Sequence, residues 1–221
     1  LDSSGDSLHR RGYRPVQLRA PINEALAAGI ILRTGWDASA PFADPMCGSG
    51  TLPIEAAWIA LRRPPGLTRK RFGFMGWLDH DRGEWAAMRD EARMGILKAL
   101  PAPVLGSDER TDAVEHARQN ARAAGIGHAL DFQRTDFRHV RLPETPGTVL
   151  LNPPYGERIG EEKDLIPLYR AIGDLARRCP GWRVWVFTGN ERLGRAVGLP
   201  PRQAVKLFNG KIPCQLLEFG A

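Results

Sequence analysis

Apolar residues in this chain follow two patterns that alternate along its length. Short unbroken runs, Thr148–Leu151 and Val184–Phe187, read as strands buried on both faces. Between and around them lie stretches with helical spacing. Asp164–Cys179 places Leu165, Leu168, Ile172, Leu175 and Ala176 on one side, and Asp112–Ala124 does the same with Val114, Ala117, Ala121 and Ala124. Gly125 is suited to ending the latter helix. Ile22–Leu32 and Thr51–Leu61 are apolar helices, the second with Pro53 in its first turn, where a missing N–H is tolerated. Glu84–Leu100 is also predicted to be helical. Shorter strands are predicted at Phe42-Ala43, at Val104–Gly106 leading to Asp108, and at Leu130–Arg134 ending near Asp136. Ala204–Phe219 reads as two strands joined by a turn at Asn209-Gly210.

Strands alternating with helices imply a mostly parallel sheet with right-handed crossovers, to which the terminal hairpin adds an antiparallel edge. Arg62–Gly83 carries prolines, glycines, aromatics and bases without a clear period, and reads as an insertion. There are no internal repeats.

Composition narrows the class. The 221 residues suffice for one large domain with a full core. No apolar run is long enough to cross a bilayer and no signal-peptide pattern is present, so a cytoplasmic protein with no membrane partner is expected. Cys47, Cys179 and Cys214 are far apart and form no CxxC pair, which argues against a zinc site and a disulfide framework; no metal is expected. The chain does not begin with methionine and opens in a polar stretch, so a fragment of a longer protein is expected.

The net charge of +6 is modest, and its distribution says more. Arg10, Arg11, Arg14 and Arg19 crowd the start. Arg62, Arg63, Arg69, Lys70 and Arg71 form a second group, followed directly by Phe72, Phe74 and Trp77, a mixture that favours nucleic acid. Arg183, Arg192, Arg195, Arg202, Lys206 and Lys211 form a third.

The candidate chemistry falls at strand ends, where doubly wound sheets bind ligands. Asp44-Pro45-Met46-Cys47-Gly48-Ser49-Gly50-Thr51 follows the first strand. Its glycines allow a tight turn and close backbone approach, and the helix from Thr51 presents free N–H groups to an anionic group such as a carboxylate. The third glycine of a dinucleotide fingerprint is replaced by Pro53, and no lysine follows Gly50 as a Walker motif requires. Asp108 is suited to accepting hydrogen bonds from ribose hydroxyls. Asp136 is suited to an adenine amino group, with Phe137 against the adenine face.

Asn152-Pro153-Pro154-Tyr155 ends the fourth strand. Two prolines cannot continue a ladder, so the chain leaves the sheet at once. The Asn152 side-chain carbonyl and the Pro153 backbone carbonyl are suited to accepting the two N–H groups of an exocyclic amine. That turns the nitrogen lone pair toward an electrophile and stabilises the charge that develops. Tyr155 is suited to stacking on a base taken out of its helix. These residues point to methyl transfer onto an exocyclic nitrogen of a nucleic-acid base.

Together, DPMCGSGT and NPPYG resemble the S-adenosylmethionine-dependent amino methyltransferases. Leu1–Arg14 (LDSSGDSLHRRGYR), Ala20-Pro21-Ile22, Gly73–Trp77 (GFMGW), Asn152–Arg158 (NPPYGER) and Asn209–Cys214 (NGKIPC) further resemble the RlmL-type family of bacterial 23S rRNA guanine-N2 methyltransferases. The resemblance implies a Rossmann-like class I fold with a mostly parallel seven-stranded sheet and a C-terminal antiparallel hairpin. It implies residues 1–35 as an N-terminal linker segment and helix, and 36–221 as the methyltransferase domain with an insertion at about 62–103. It implies S-adenosylmethionine at Asp44, Pro45, Cys47, Gly48, Ser49, Gly50, Thr51, Asp108, Asp136, Phe137 and Asn152. The target amine is then at Asn152, Pro153, Pro154 and Tyr155, with large-subunit rRNA as partner. Family members place a THUMP RNA-binding domain upstream, which is absent from this chain. A DNA adenine-N6 or cytosine-N4 methyltransferase, or a non-catalytic cofactor- or RNA-binding module, remains the alternative.

Overall fold

The computed structural model describes residues 2–14, 22–155 and 161–220. Ala20-Pro21 and Gly156-Glu157-Arg158, which carry part of the resemblance, lie outside them, as does Arg19. Seven strands form one sheet: β1 (Phe42–Asp44), β2 (Val104–Asp108), β3 (Asp131–Arg134), β4 (Thr148–Leu151), β5 (Arg183–Thr188), β6 (Gln203–Asn209) and β7 (Ile212–Phe219). Their order is β3-β2-β1-β4-β5-β7-β6. The strands β1 to β5 pair in parallel, while β7 runs antiparallel to both β5 and β6. The expected parallel sheet with an antiparallel hairpin is therefore the one observed, with β7 lodged between β5 and the edge strand β6.

The helices are α1 (Glu24–Arg33), α2 (Thr51–Ala60), α3 (Arg82–Met94), α4 (Thr111–Ala123), α5 (Glu161–Arg178) and α6 (Glu191–Ala196). Their apolar faces cover both sides of the sheet. Along β4, Leu150 joins one buried cluster while Val149 and Leu151 join the other. Along β5, Trp185 and Phe187 face the first and Val184 and Val186 the second. This alternation explains the unbroken apolar runs, because a strand covered on both faces needs no polar positions.

Helix bounds differ from expectation most at α3 and α5. The helix expected over Glu84–Leu100 starts at Arg82, where the Asp81 carboxylate caps the N–H groups of Gly83 and Glu84, and it stops at Met94. Beyond it the Leu97 N–H donates to the Leu61 carbonyl at 2.9 Å, which turns the chain back onto the end of α2. The helix α5 begins before Asp164, and α6 is a helix for which no expectation was stated; Asn190 starts it by accepting from the N–H groups of Arg192 and Leu193.

The N-terminal segment lies on the domain. Tyr13 is buried and its hydroxyl donates to Glu55 Oε1 of α2 at 2.9 Å, with Arg11 Nε 3.5 Å from the same oxygen. Arg14 pairs with Glu24 of α1 at 3.2 Å. Arg69, from the insertion, donates to the carbonyls of Ser4, Asp6 and Ser7 and lies over the Phe72 ring. Several arginines of the basic clusters thus hold the fold together. Among the described residues no helix is long and apolar enough to cross a membrane.

Candidate functional site

The carboxyl ends of the parallel strands bring the predicted loops to one edge. β1 ends at Asp44, whose Oδ1 accepts the Met46 N–H at 3.1 Å. Burial pushes the Asp44 carboxyl well above its ordinary value of 3.8, because charge in an apolar interior loses its hydration. The Cys47 N–H donates to the Ser107 carbonyl at 2.8 Å, and the Gly50 N–H donates to the Cys47 carbonyl at 2.8 Å, closing the turn. Gly48 and Gly50 have φ of 53° and 83°, the left-handed conformation that favours glycine.

This turn is tied down from two directions. Asp108 Oδ2, at the end of β2, accepts the Gly48 N–H at 2.9 Å, while its Oδ1 accepts the Arg110 N–H at 3.0 Å. Fully buried Asn120 on α4 donates from Nδ2 to the Ser49 carbonyl at 2.9 Å. A Cβ built on Gly50 would stand 2.9 Å from the Ala117 Cβ, so α4 packs directly under the turn. Pro45, Ser49 and Thr51 are buried. The Cys47 thiol is buried and its pKa is raised, first by burial and then by Asp44 and Asp108, which keeps it protonated and unreactive.

Two open spaces lie along this edge. One is lined by Glu109, Arg110, Thr111 and Asp112 after β2 and by Arg134, Thr135 and Asp136 after β3. The other is a narrow cleft lined by Asp44, Pro45, Ser107, Gln133 and Arg141 among others. The Asp136 carboxylate accepts from the Arg138 N–H and guanidinium, and the arginine holds it below the usual carboxylate range. Phe137 is 6% exposed and belongs to the apolar cluster with Val149, Leu151 and Tyr169.

β4 pairs with β1 at Ala43↔Val149, so Asp44 is level with Leu150 and Asn152 follows two residues beyond. Asn152 Oδ1 is buried and has no hydrogen-bond partner among the described residues. Such an acceptor is costly to leave unmade and invites an external donor. Pro153 is buried and Pro154 exposed. The Tyr155 hydroxyl accepts from Asn209 Nδ2 of the hairpin turn at 3.1 Å.

Every predicted loop therefore reaches the same edge. Sequence reasoning missed Asn120, Ser107 and the part played by Asn209. The one signal for Asn120 is its place beside the apolar stripe of Val114, Ala117 and Ala121. Ser107 Oγ is another buried polar atom with no partner among the described residues. No group of three or more potential metal ligands occurs among the described residues.

A seven-stranded sheet with this order, a glycine turn after β1 and Asn-Pro-Pro-Tyr after β4 defines a Rossmann-like methyltransferase domain. Residues 11–218 match the family described as RMKL-like, methyltransferase domain, and the chain belongs to that family. It is 46% identical over 231 aligned positions to the ribosomal RNA large subunit methyltransferase K/L of Syntrophotalea carbinolica, covering 99% of this chain and 32% of that protein. Among solved structures, SMU.472 complexed with SAH superposes with a TM-score of 0.91 at 33% identity, over 100% of this chain and 57% of that one. A protein described as a predicted N6-adenine-specific DNA methylase from Listeria monocytogenes does so at 0.87 and 37% identity, covering 100% and 57%. The chain spans between about a third and somewhat over half of the length of the curated relatives it matches.

Proposed function

We propose that this chain binds S-adenosylmethionine and transfers its methyl group to the exocyclic N2 amine of a guanine in 23S rRNA. The observation that carries the reading is the buried, unpartnered Asn152 Oδ1 at the end of β4. The residues present fit the cofactor. A Cβ built on left-handed Gly48 meets nothing within 4 Å, so the turn has an open side, and the N-terminus of α2 follows it for an anionic carboxylate. Asp108, Asp136 and the pocket between their loops are assigned to its nucleoside, with Phe137 behind them. Asp44, Pro45, Cys47, Ser49, Gly50 and Thr51 shape the turn.

S-adenosylmethionine, when bound, supplies an electrophilic methyl carbon on a positively charged sulfur. Asn152 Oδ1 accepts one N–H of the target amine and the Pro153 carbonyl the other. This frees the nitrogen lone pair from the ring and stabilises the positive charge that grows on nitrogen. Pro153 and Pro154 hold the two acceptors rigidly, and Tyr155 stacks on the base. As the N–C bond formed, the bond from the methyl carbon to sulfur would break, S-adenosylhomocysteine would be the leaving group, and one amine proton would pass to solvent. Raised Cys47 has no nucleophilic part.

RNA as substrate is supported by the name of the 46%-identical relative, and guanine N2 by the family resemblance of the motifs. A DNA amine is the second reading, because the Listeria protein is described as a DNA methylase and the same acceptors suit any exocyclic amine. We assign the protein to the cytoplasm, with a THUMP domain of the longer protein capturing the rRNA.

The test offers hypomethylated rRNA and unmodified DNA to the full-length protein with labelled S-adenosylmethionine and maps the product nucleoside. N2-methylguanosine in rRNA is expected; methylation of DNA alone overturns the reading. Asn152→Ala is expected to lower the rate about 10²–10³-fold, with cofactor binding largely retained. An unchanged rate in that variant would mean that Asn152 is no part of the machinery.

A further inference from the structure

The β6–β7 hairpin carries a feature that methyl transfer alone does not require. Because β7 is antiparallel to both β5 and β6, β6 points the same way as β1 to β5. Its last residue, Asn209, therefore arrives at the edge where Asp44, Asp108 and Asn152 emerge. There Asn209 Nδ2 donates to the Tyr155 hydroxyl at 3.1 Å. A Cβ built on Gly189, just after β5, would lie 2.9 Å from Tyr155 Cε2 and 3.2 Å from Ile212 Cγ2. The Tyr155 ring, the Gly189 backbone and Ile212 thus meet at one point.

The outside of the same tip is apolar and basic. Phe208 is 65% exposed and Lys206 and Lys211 are exposed with it, while Ile212, on the face toward Tyr155, is 41% exposed. Lys206–Lys211 (KLFNGK) holds no acidic residue. An exposed aromatic ring offers a stacking face to any base, and flanking lysines offer charge to phosphates. Cross-strand pairing of Asn209 with Ile212 puts these two on one face, with Lys206 and Phe208 on the other. The tip therefore grips the target loop with one face and presents Phe208 with the other.

We propose that the hairpin tip, Phe208 to Ile212, is the surface that holds the RNA strand next to the target nucleotide, and that Asn209 is a positioning residue for Tyr155. The proposal rests on the reading of the chain as an RNA methyltransferase. The occupant is a single-stranded RNA segment, identified by its continuity with the amine site and by the charge of the tip.

Binding of a fluorescent single-stranded RNA containing guanine to the full-length protein tests it. The double variant Phe208→Ala/Lys211→Ala is expected to weaken RNA binding about tenfold or more. The slope of log affinity against log salt should fall by about 0.7 for the lost lysine. S-adenosylmethionine affinity should not change, and Lys98→Ala, an exposed lysine of the insertion, should leave RNA affinity at the wild-type level. Asn209→Ala should lower kcat with little change in KM for RNA, and Asn209→Gln, which keeps the amide donor, should recover part of the loss. RNA binding by the double variant equal to wild type overturns the surface, including the case in which the tip serves a protein partner instead. A wild-type kcat for Asn209→Ala overturns the positioning role. Failure of the wild-type protein to methylate RNA would instead reject the proposed function, and is read separately from these comparisons.

Discussion

Asn120 organises the glycine turn through one amide group. Its Nδ2 reaches Ser49, 71 residues earlier, and no solvent replaces that bond because Asn120 is fully buried. Asn120→Ala should leave the Ser49 carbonyl without this donor and cost about 1–3 kcal/mol. The expected readouts are a lower urea midpoint and weaker S-adenosylmethionine binding by calorimetry; an unchanged cofactor affinity would show that the turn keeps its shape without α4. Asn152 differs in place: its Oδ1, like that of Asn120, is buried without a partner among the described residues, but it stands at the end of β4. Asn152 could be found from sequence because prolines follow it at the end of an apolar run. Asn120 could not, since one amide beside an apolar stripe acquires meaning only when the facing loop is known.

At the scale of elements, the glycine turn and the helices around it form one packed unit. α2 is buried on nearly every side, consistent with its continuous apolar sequence, and α4 meets the turn through Ala117. The two glycines should respond differently to substitution. Gly48→Ala adds a methyl into open space at a left-handed φ, at a cost of about 1–2 kcal/mol. Gly50→Ala incurs similar backbone strain and also drives its Cβ to 2.9 Å from that of Ala117. It should therefore lower Tm more than Gly48→Ala; equal shifts would mean that α4 moves aside freely. Strand and helix identities followed well from spacing, because β4, β5 and α4 each repeat a pattern over several residues. Helix ends were less legible. α3 stops at Met94 with Gly95 as its cap, and the Leu97 N–H then bonds the Leu61 carbonyl, a partner that local spacing does not contain.

Across the whole molecule, charge is used for assembly as much as for display. Tyr13, Arg11 and Glu55 pin the N-terminal segment to α2, and Arg69 holds the same segment to the insertion. Burial raises the carboxyl pKa of Glu55, and that of Asp44 more strongly. The native state therefore keeps protons that the unfolded chain releases, and stability should fall as pH rises from the ordinary carboxylate range through the raised values. The exposed Asp37, Asp81 and Asp112 and the half-buried Asp136 have lowered values and lose their contribution only as pH falls through those values. Urea midpoints across this pH range check the slope, and Asp44→Asn should flatten it. A slope unaltered by that substitution would assign the effect elsewhere.

By itself, the sequence determined the alternation of strands and helices and the loops at strand ends that carry chemistry. Apolar period, proline and glycine act through near neighbours, so a linear reading reaches them. The tertiary structure alone decided the sheet order, the burial of Arg11 and Arg14 in ion pairs, and the link from Asn209 to Tyr155 across 54 residues. Those outcomes depend on which distant surfaces exclude water together, and local spacing carries no record of that.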